Sequence, residues 1–450
     1  MDREFDVVVL GAGPAGEVAA GRLGEAGLEV ALVEAHLIGG ECSYYACMPS
    51  KALLRPAELA AEVRRVPGLT VTGPDPAAVL ARRDEVIHEL DDSSQLPWLE
   101  QRGVTVVRGF GRLDGERRVR VAGDLLTARR AVVVATGSGA VLPSIPGLSE
   151  SRPWTNREAT TTQTVPASLV VVGGGVVGVE LAQVWASLGS RVVVIEGGPR
   201  LIAREEEFAS EQVEAALREA GIDVHVGAKA VSVERESEVT VELDDGSRVS
   251  GSELLVAVGR RPATQDLGLE TVGLEPGSSI DVGNDLRSKA HTWLYAIGDV
   301  NGRSLLTHMG KYHARLASDS ILGKQVEIRS DGALSPRVIF TDPQVAAVGY
   351  TLAGAREAGL DVRAVDVGSG ANAGGSFVGR NAPGTARLVV DESRRVIVGA
   401  TFTGAAVAES LHAATIAVIA EVPLPTLWHA VPAFPTRSEL WLRLLETYGL

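Results

Sequence analysis

The hydrophobic pattern of this chain is dominated by short, uninterrupted apolar runs that end at glycine-rich turns. One such run is Val7–Leu10, and another is Leu169–Val172. A short apolar run bounded by turn residues is typical of a strand buried on both faces of a parallel sheet. A helical stretch follows each of these turns, and the strand–helix alternation predicts an α/β fold.

The pattern is duplicated along the chain. Gly11, Gly16 and Glu34 recur 162 positions later (173 − 11). Each copy has an apolar strand, a Gly-x-Gly-x-x-Gly turn, a helix and a second strand that ends in glutamate, as in a dinucleotide-binding βαβ unit. One glycine-rich turn could simply be a packing feature, but two copies in the same register predict two bound dinucleotides. The residues concerned are Gly11, Gly13, Gly16 and Glu34, then Gly173, Gly175, Gly178 and Glu196.

Glycines let the backbone approach a pyrophosphate, and the start of the following helix offers free N–H groups and the positive end of its dipole. The terminal carboxylate accepts hydrogen bonds from ribose hydroxyls. Three further apolar runs are predicted to be strands that end at turns. They are Ala131–Val134 with the turn Ala135, Thr136 and Gly137, Leu254–Val258 with Gly259, and Trp293–Val300 with Gly298 and Asp299 at its exit.

After about residue 333 the pattern changes to strand-like runs and then helical ones, which predicts a separate α+β domain. We expect an α/β fold with two Rossmann-like dinucleotide-binding domains and a C-terminal α+β domain. The expected domains are residues 1–145 (first dinucleotide-binding domain, first part), 146–262 (second dinucleotide-binding domain), 263–332 (return to the first domain) and 333–450 (α+β domain).

Composition narrows the class of protein. The chain has 450 residues, of which 45% are hydrophobic, and a formal net charge of −14, which argues against nucleic acid or an anionic membrane as a partner. No apolar run approaches a membrane span, and the acidic start of the sequence resembles no signal or transit peptide. We therefore expect a soluble cytoplasmic protein, with no metal site.

The only two cysteines, Cys42 and Cys47, lie close together. A disulfide across so few residues would restrain the unfolded chain by only roughly 2 kcal/mol, so its role is expected to be chemical. Residues five apart on a regular helix are about 8–9 Å apart, too far for a disulfide. If the two bond, the backbone between them must be a loop or a distorted turn, and such a disulfide is readily reduced.

Together these motifs resemble the flavoprotein disulfide reductases, the pyridine nucleotide-disulfide oxidoreductases that include lipoamide dehydrogenase, glutathione reductase and mercuric reductase. The resemblance covers essentially the whole chain and is specific for fold and cofactors, less so for substrate. It rests on both glycine turns, the Cys-x4-Cys-x-Pro-Ser-Lys segment, Ala135–Gly137, Gly298–Asp299 and Phe340–Pro343.

The resemblance implies roles for individual residues. The first glycine turn and Glu34 would hold FAD, and Asp299 would bond its side chain. Cys47 would face the flavin as a thiolate, while Cys42 would exchange with substrate. Lys51 would lie beside the flavin and pair with Glu180. A surface lysine and a helix-start glutamate that favours the dipole are the simpler alternatives.

Glu196 bears on the choice of nicotinamide. A carboxylate at this position accepts the 2′-hydroxyl of NADH and repels the 2′-phosphate of NADPH. Arg200 and Arg204 follow shortly and could offset that repulsion, or could be solvated charges at a helix start. NADH is the expected donor, and NADPH remains possible.

The C-terminal segment departs from the family pattern. The resemblance implies a histidine base five residues before a glutamate, within a Pro-Thr-x-Ser-Glu frame. Here Phe434 occupies the position of the base, and Glu439 keeps its own. Phenylalanine carries no proton, whereas an imidazole contributes about 10²–10⁴-fold to such a transfer. Nearby His429 could substitute, as could Tyr44 or Tyr45 between the cysteines, although each is also explained as a structural residue.

Several functions therefore stay open. The leading hypothesis is an NADH-dependent FAD oxidoreductase that passes electrons through a Cys42–Cys47 disulfide to a small disulfide or another small-molecule electrophile. The alternatives are direct reduction of a quinone at the flavin, a carboxylase-like variant whose phenylalanine excludes protons, and a non-enzymatic redox sensor with a structural flavin. Because family members complete their sites across two subunits, a homodimer through residues after about 335 is expected.

Overall fold

The computed structural model describes residues 2–380 and 382–450. Its strands are β1 Asp2–Leu10, β2 Val30–Glu34, β3 Val104–Arg108, β4 Gly111–Leu113, β5 Arg118–Val121, β6 Asp124–Val134, β7 Ser138–Ala140, β8 Ser168–Val172, β9 Arg191–Glu196, β10 Asp223–Val226, β11 Ala230–Arg235, β12 Val239–Leu243, β13 Arg248–Gly251, β14 Glu253–Val256, β15 Arg260–Pro262, β16 Leu294–Ala296, β17 Arg337–Ile339, β18 Gln344–Gly349, β19 Val362–Gly368, β20 Thr385–Asp391 and β21 Val396–Gly404.

The helices are α1 Pro14–Glu25, α2 Gly40–Tyr44, α3 Cys47–Arg65, α4 Pro76–Val86, α5 Leu96–Glu100, α6 Asn156–Thr161, α7 Val176–Ser187, α8 Glu207–Glu219, α9 Thr307–Ile321, α10 Leu352–Glu357, α11 Ala373–Ser376, α12 Leu411–Ile419, α13 Leu424–Trp428 and α14 Glu439–Tyr448. Six short 3₁₀ turns complete the described elements. They are His88–Leu90, Ser93–Gln95, Leu269–Val272, Gly298–Asn301, Gly332–Leu334 and Val407–Ser410.

The described chain forms two compact units. The first comprises residues 2–49, Asp84–Val141 and Arg260–Gly332. The second comprises Ser50–Arg83, Leu142–Gly259 and Ala333–Leu450. The division into four sequence domains given above stays a prediction.

A seven-stranded sheet organises the first unit, in the order β3-β2-β1-β6-β5-β4, with β16 added beside β6. β1 is parallel to both β2 and β6, and its second half, Val7–Leu10, is almost fully buried because elements cover both faces of the sheet. The pairing of β16 with β6 returns the chain to this sheet and sets the turn Gly298–Asn301 at the same sheet edge as the exit of β6.

The second unit contains one parallel sheet and two antiparallel sheets, of which the smaller has the order β11-β12-β13. Parallel strands in the order β10-β9-β8-β14 repeat the βαβ arrangement, with α7 between β8 and β9. The antiparallel strands β17-β18-β21-β20-β19 form a separate five-stranded sheet, and α12 and α14 pack against it. The predicted fold class, with two Rossmann-like units and a C-terminal α+β domain, is confirmed.

Among the described helices, none combines the length and the apolar character needed to cross a membrane.

Candidate active site

The two glycine-rich turns have the same local geometry. Gly11 and Gly173 have φ values of +97° and +114°, a region that favours glycine. A Cβ on Gly16 would lie 1.9 Å from the carbonyl oxygen of Gly11. The same 1.9 Å separates a Cβ on Gly178 from the carbonyl oxygen of Gly173. Each turn therefore requires glycine at its first and last positions to let the helix start close to the strand end.

The glutamates at the ends of β2 and β9 are bound to these turns. Glu34 Oε2 accepts a hydrogen bond from Ala12 N at 2.6 Å, and Glu196 Oε2 accepts one from Gly174 N at 2.6 Å. The other carboxylate oxygens accept from His36 N at 2.8 Å and Gly198 N at 2.6 Å. Each carboxylate oxygen keeps a further acceptor position for a ribose hydroxyl. The duplication seen in the sequence thus extends to the contacts.

The first turn also contacts the exit of β6. A Cβ on Gly11 would lie 2.5 Å from the carbonyl oxygen of Ala135, so the two backbones are in close contact. Within the described residues, Thr136 Oγ1 is buried without a hydrogen-bond partner. Gly137 follows with φ of +72°. In the second unit, Gly173 makes the corresponding approach to Ala257, since a Cβ on Gly173 would lie 2.4 Å from Ala257 O.

Asp299 faces the residues after β6. Its Oδ2 accepts a hydrogen bond from Ser138 Oγ at 2.6 Å, and burial raises the pKa of the carboxyl group. Gly298, just before it, has φ of +72° and lies close to Ala15 at the start of α1. A glycine turn with a helix N-terminus, an unpaired buried hydroxyl and a buried carboxyl group therefore meet in the first unit. These residues fit FAD, whose pyrophosphate and hydroxyls need such partners.

The two cysteines lie on either side of a break between helices. α2 ends at Tyr44, Tyr45 has φ of −133° and ψ of −2°, and α3 begins at Cys47. The backbone is thus distorted between Cys42 and Cys47, and both are thiols. The hydrogen bond between the two thiols, followed by burial, raises the pKa of Cys42.

Thr307, the first residue of α9, belongs to this site although the sequence analysis did not identify it. Its Oγ1 lies 3.4 Å from Cys47 Sγ. A hydrogen bond from Thr307 also opposes the rise in the pKa of Cys42. No local motif marks Thr307, because its contact joins residues 260 positions apart.

Lys51 and Glu180 form an ion pair. Lys51 Nζ lies 2.7 Å from Glu180 Oε2, with 35% of the lysine side chain and 4% of the glutamate side chain exposed. Glu180 Oε1 accepts a hydrogen bond from Phe340 N at 2.9 Å, and the ammonium lies 4.8 Å from the centre of the Phe340 ring. Glu180 is therefore fixed from two directions. The catalytic role of the pair stays a prediction.

A second group that the sequence analysis missed surrounds Arg260. Its Nε donates to Ser138 Oγ at 2.8 Å, and its Nη2 donates to Ser138 O at 2.6 Å and lies 3.7 Å from Glu41 Oε2. Ser138 in turn donates to Asp299. This network orients the Asp299 carboxyl group. The only sequence signal was the position of Arg260 directly after Gly259, which has φ of +143°.

At the C-terminus, 77% of Phe434 is exposed. Glu439 is buried, and its Oε2 accepts a hydrogen bond from Gly374 N at 3.3 Å. A Cβ on Gly374 would lie 2.0 Å from the carbonyl carbon of Thr436, so the glycine allows this close approach. Glu439 therefore binds backbone of its own domain, and His429 is exposed at the end of α13.

The arginines beyond Glu196 differ in their contacts. Arg200 Nη1 donates to Glu205 O at 3.0 Å, and Nη2 donates to Ala203 O at 2.8 Å. Arg200 thus holds the loop before α8, whereas Arg204 is exposed. Gly175 is the N-cap of α7, and a Cβ there would contact nothing within 4 Å. The described residues contain no cluster of three or more histidine, cysteine or acidic side chains suited to a metal ion.

Known families and proteins match the chain over nearly its full length. The family model described as pyridine nucleotide-disulphide oxidoreductase matches residues 5–315, and its dimerisation domain matches residues 335–444. The dihydrolipoyl dehydrogenase of Chlorobaculum tepidum is 36% identical over 97% of this chain and 95% of its own length. That of Chlamydia muridarum is 31% identical over 98% and 96%. The solved structure of the HOCl-induced flavoprotein disulfide reductase RclA from Escherichia coli is 25% identical with a TM-score of 0.87, covering 98% of this chain and 99% of that one.

Proposed function

The chain belongs to the pyridine nucleotide-disulphide oxidoreductase family and is an NAD(P)H-dependent, FAD-containing oxidoreductase, and we propose that it carries electrons from NADH to a disulfide between Cys42 and Cys47. From there, the electrons pass to a small disulfide or another small-molecule electrophile. The observation that carries this proposal is the pair of thiols on either side of the break between α2 and α3, where Cys47 raises the pKa of Cys42.

The chemistry balances at the two sulfur atoms. FAD, when bound, supplies the transfer of a hydride's electron pair from nicotinamide to the disulfide. The Cys42–Cys47 bond breaks as it takes up two electrons, and with two protons it becomes two thiols. The Cys42 thiolate then attacks one sulfur of an acceptor disulfide, which breaks the acceptor S–S bond and releases the other acceptor sulfur as a thiolate that takes up a proton. The Cys47 thiolate displaces the remaining acceptor sulfur from Cys42 as a second thiol, and the intramolecular disulfide forms again.

The remaining residues hold this arrangement. FAD is bound by the first glycine turn and the glutamate after it, namely Gly11, Gly13, Gly16 and Glu34. Further contacts to FAD come from Ala135–Gly137, Gly298 and Asp299. Gly173, Gly175, Gly178, Glu196 and Gly259 bind the nicotinamide nucleotide. Lys51, oriented by Glu180, supplies a positive charge on α3.

NADH is proposed over NADPH because of the charges around β9. The Glu196 carboxylate is fixed by Gly174 N and Gly198 N, where it meets a ribose 2′-hydroxyl and repels a 2′-phosphate. Arg200 is occupied by two loop carbonyls, and Arg204 is exposed. Comparing kcat/KM for NADH and NADPH tests this choice, and a preference for NADPH would overturn it.

A homodimer is proposed through the C-terminal domain. The match to a dimerisation domain covers residues 335–444, and three apolar side chains of this segment, Trp428, Val431 and Phe434, are exposed. Exposed apolar residues grouped in one segment favour an interface. Sedimentation analysis is expected to give twice the 47.0 kDa chain mass.

We place the enzyme in the cytoplasm, where a reducing environment suits a catalytic cysteine pair.

Direct reduction of a quinone is the second candidate, and Phe434 favours it. A quinone needs no thiol base, so the loss of the family's histidine leaves this route intact. The Cys42→Ser variant separates the two candidates. Unchanged NADH:quinone turnover places that reaction at the flavin, and its loss places it at the thiols.

The central test is a thiol count before and after NADH. Oxidised holoenzyme is denatured anaerobically with and without prior NADH, and its free thiols are titrated. Two additional thiols per chain are expected after NADH, and none in the Cys47→Ser variant. Flavin reduction without any gain of thiols would contradict the disulfide route. A protein that binds no FAD would end the proposal altogether.

A further inference from the structure

The proposed function leaves one step without a residue. Thiol–disulfide exchange needs a Cys42 thiolate, and Phe434, which occupies the base position, cannot accept a proton. The hydrogen bond that the Cys42 thiol donates to Cys47, followed by burial, disfavours that thiolate. We therefore looked for another group in the first unit that could stabilise the Cys42 thiolate.

The helix that contacts the thiols carries a suitable charge. Thr307 begins α9 and lies 3.4 Å from Cys47 Sγ. Lys311 lies four residues further along α9, and residues at this spacing share one face of a helix. The face of α9 that contacts the cysteine pair thus presents a lysine one turn beyond the contact.

Lys311 acts on groups from two other elements. Its positive charge opposes the rise in the pKa of Cys42, on α2, and it likewise opposes the rise in the pKa of Glu17, on α1. α1 packs directly against α9, where a Cβ on Gly310 would lie 3.3 Å from Ala15 Cβ. Lys311 therefore lies on the helix that both packs against α1 and contacts the cysteine pair.

We propose that Lys311 is a positioning residue that stabilises the Cys42 thiolate, the step for which relatives are expected to use an imidazole. The Cys42 proton leaves to solvent, and the ammonium of Lys311 interacts with the negative charge on sulfur. Lys311 does not itself carry the proton. The proposal rests on the proposed function, in which Cys42 reacts with the acceptor. The position of Lys311 is argued from α9, Cys42 and Glu17.

Three side chains have the largest effects on the pKa of Cys42. Cys47 on α3 and Thr307 on α9 are hydrogen-bonding neighbours, and Lys311 is the cation whose charge acts on the thiol. Glu17 acts through Lys311, since its carboxylate competes for the same ammonium. His308 also lies on α9, but it is exposed and is turned about 100° around the helix from Thr307. It is the competing candidate.

The test measures thiol ionisation directly. In full-length Cys47→Ser protein, Cys42 is the only cysteine, and its rate of alkylation by iodoacetamide is followed against pH. Removing Cys47 also removes the largest cause of the raised pKa of Cys42. Adding Lys311→Met is expected to raise the midpoint of the curve of alkylation rate against pH by about half to one pH unit. At pH values below that midpoint, this corresponds to alkylation that is about 3- to 10-fold slower. Lys311→Arg is expected to restore the original midpoint.

Arg315→Met is the matched control. Arg315 lies one turn further along α9, is exposed and stacks 5.9 Å from the Tyr312 ring centre, so the substitution removes one positive charge from the same helix. Its midpoint is expected to stay unchanged. Circular dichroism of each variant identifies any that fail to fold, and high salt is expected to reduce the difference made by Lys311.

An unchanged midpoint in folded Lys311→Met protein would overturn the proposal. So would an equal shift in Arg315→Met, which would indicate a general charge effect, or a shift produced by His308→Gln alone. Alkylation needs neither NADH nor turnover. If Lys311→Met shifts the alkylation midpoint but NADH produces no additional thiols, only the proposed function is rejected. If NADH produces two additional thiols but Lys311→Met leaves the midpoint unchanged, only the role of Lys311 is rejected.

Discussion

Lys51 Nζ lies 2.7 Å from Glu180 Oε2, although 129 residues separate them in the sequence. The carboxylate also accepts the backbone N–H of Phe340, so one buried glutamate joins α3, α7 and the residue after β17. Removal of such a group leaves a buried N–H without its acceptor, a cost of about 1–3 kcal/mol.

Glu180→Ala is therefore expected to lower the free energy of unfolding by about 1–3 kcal/mol. Glu180→Gln is the matched control, since its amide oxygen keeps the acceptor for Phe340 N and removes only the charge. Urea unfolding of both variants measures the difference. Equal losses in the two would show that the ion pair, partly exposed at Lys51, contributes the whole effect.

The two glycine turns are expected to separate the two cofactors. Gly16→Ala places a Cβ 1.9 Å from Gly11 O, so this variant is expected to lose most of its FAD. Gly178→Ala creates the same clash with Gly173 O and is expected to keep FAD but raise the KM for NADH at least about 10-fold. Flavin absorbance per chain and steady-state kinetics measure the two effects.

Gly175→Ala is the control for this pair, because φ is −76° and a Cβ meets nothing within 4 Å. Its FAD content is expected to equal that of the wild type. A loss of FAD in Gly178→Ala would contradict the assignment of one nucleotide to each turn.

Glu17 makes stability fall as pH rises. Burial raises its pKa from 4.5 to about 7, so between these values the folded state binds more protons than the unfolded state. In apoprotein, this group is expected to lower the free energy of unfolding by up to about 3 kcal/mol between pH 4.5 and 7, with no further change above. Glu17→Gln removes the dependence.

Urea unfolding of apoprotein at pH 5 and pH 8 measures this effect. The Glu17→Gln variant is expected to gain stability relative to the wild type at pH 8 and little at pH 5. Glu25→Gln, at the exposed end of the same helix, removes an equal charge and serves as control. An equal gain in Glu25→Gln would attribute the effect to net charge.

Phe434→His restores an imidazole where the resemblance implies a base. Because general acid–base groups contribute about 10²–10⁴-fold, NADH-dependent reduction of a small disulfide is expected to rise at least about 10-fold. Quinone reduction is expected to stay the same. Phe434→Leu controls for the loss of the ring, and a parallel rise with both acceptors would contradict the role of a thiol base.

Local sequence patterns determined much of the fold. Both βαβ units were predictable because each glycine turn, its strand and its helix are adjacent along the chain, and the steric reasons for Gly16 and Gly178 act within six residues. Boundaries were less predictable. The run Trp293–Val300 suggested a long strand, but β16 covers only Leu294–Ala296 because Gly298 turns the chain at φ of +72°.

The sequence by itself determined two nucleotide-binding units, a closely spaced cysteine pair and a phenylalanine at the expected histidine position, since each is a matter of residue type and spacing. Only the tertiary structure decided which distant residues meet these groups. Thr307 reaches Cys47 and Arg260 reaches Ser138 because β15, β16 and the start of α9 return to elements formed more than 100 residues earlier. Such contacts depend on how strands pair and helices pack, and adjacent residues carry no signal for them.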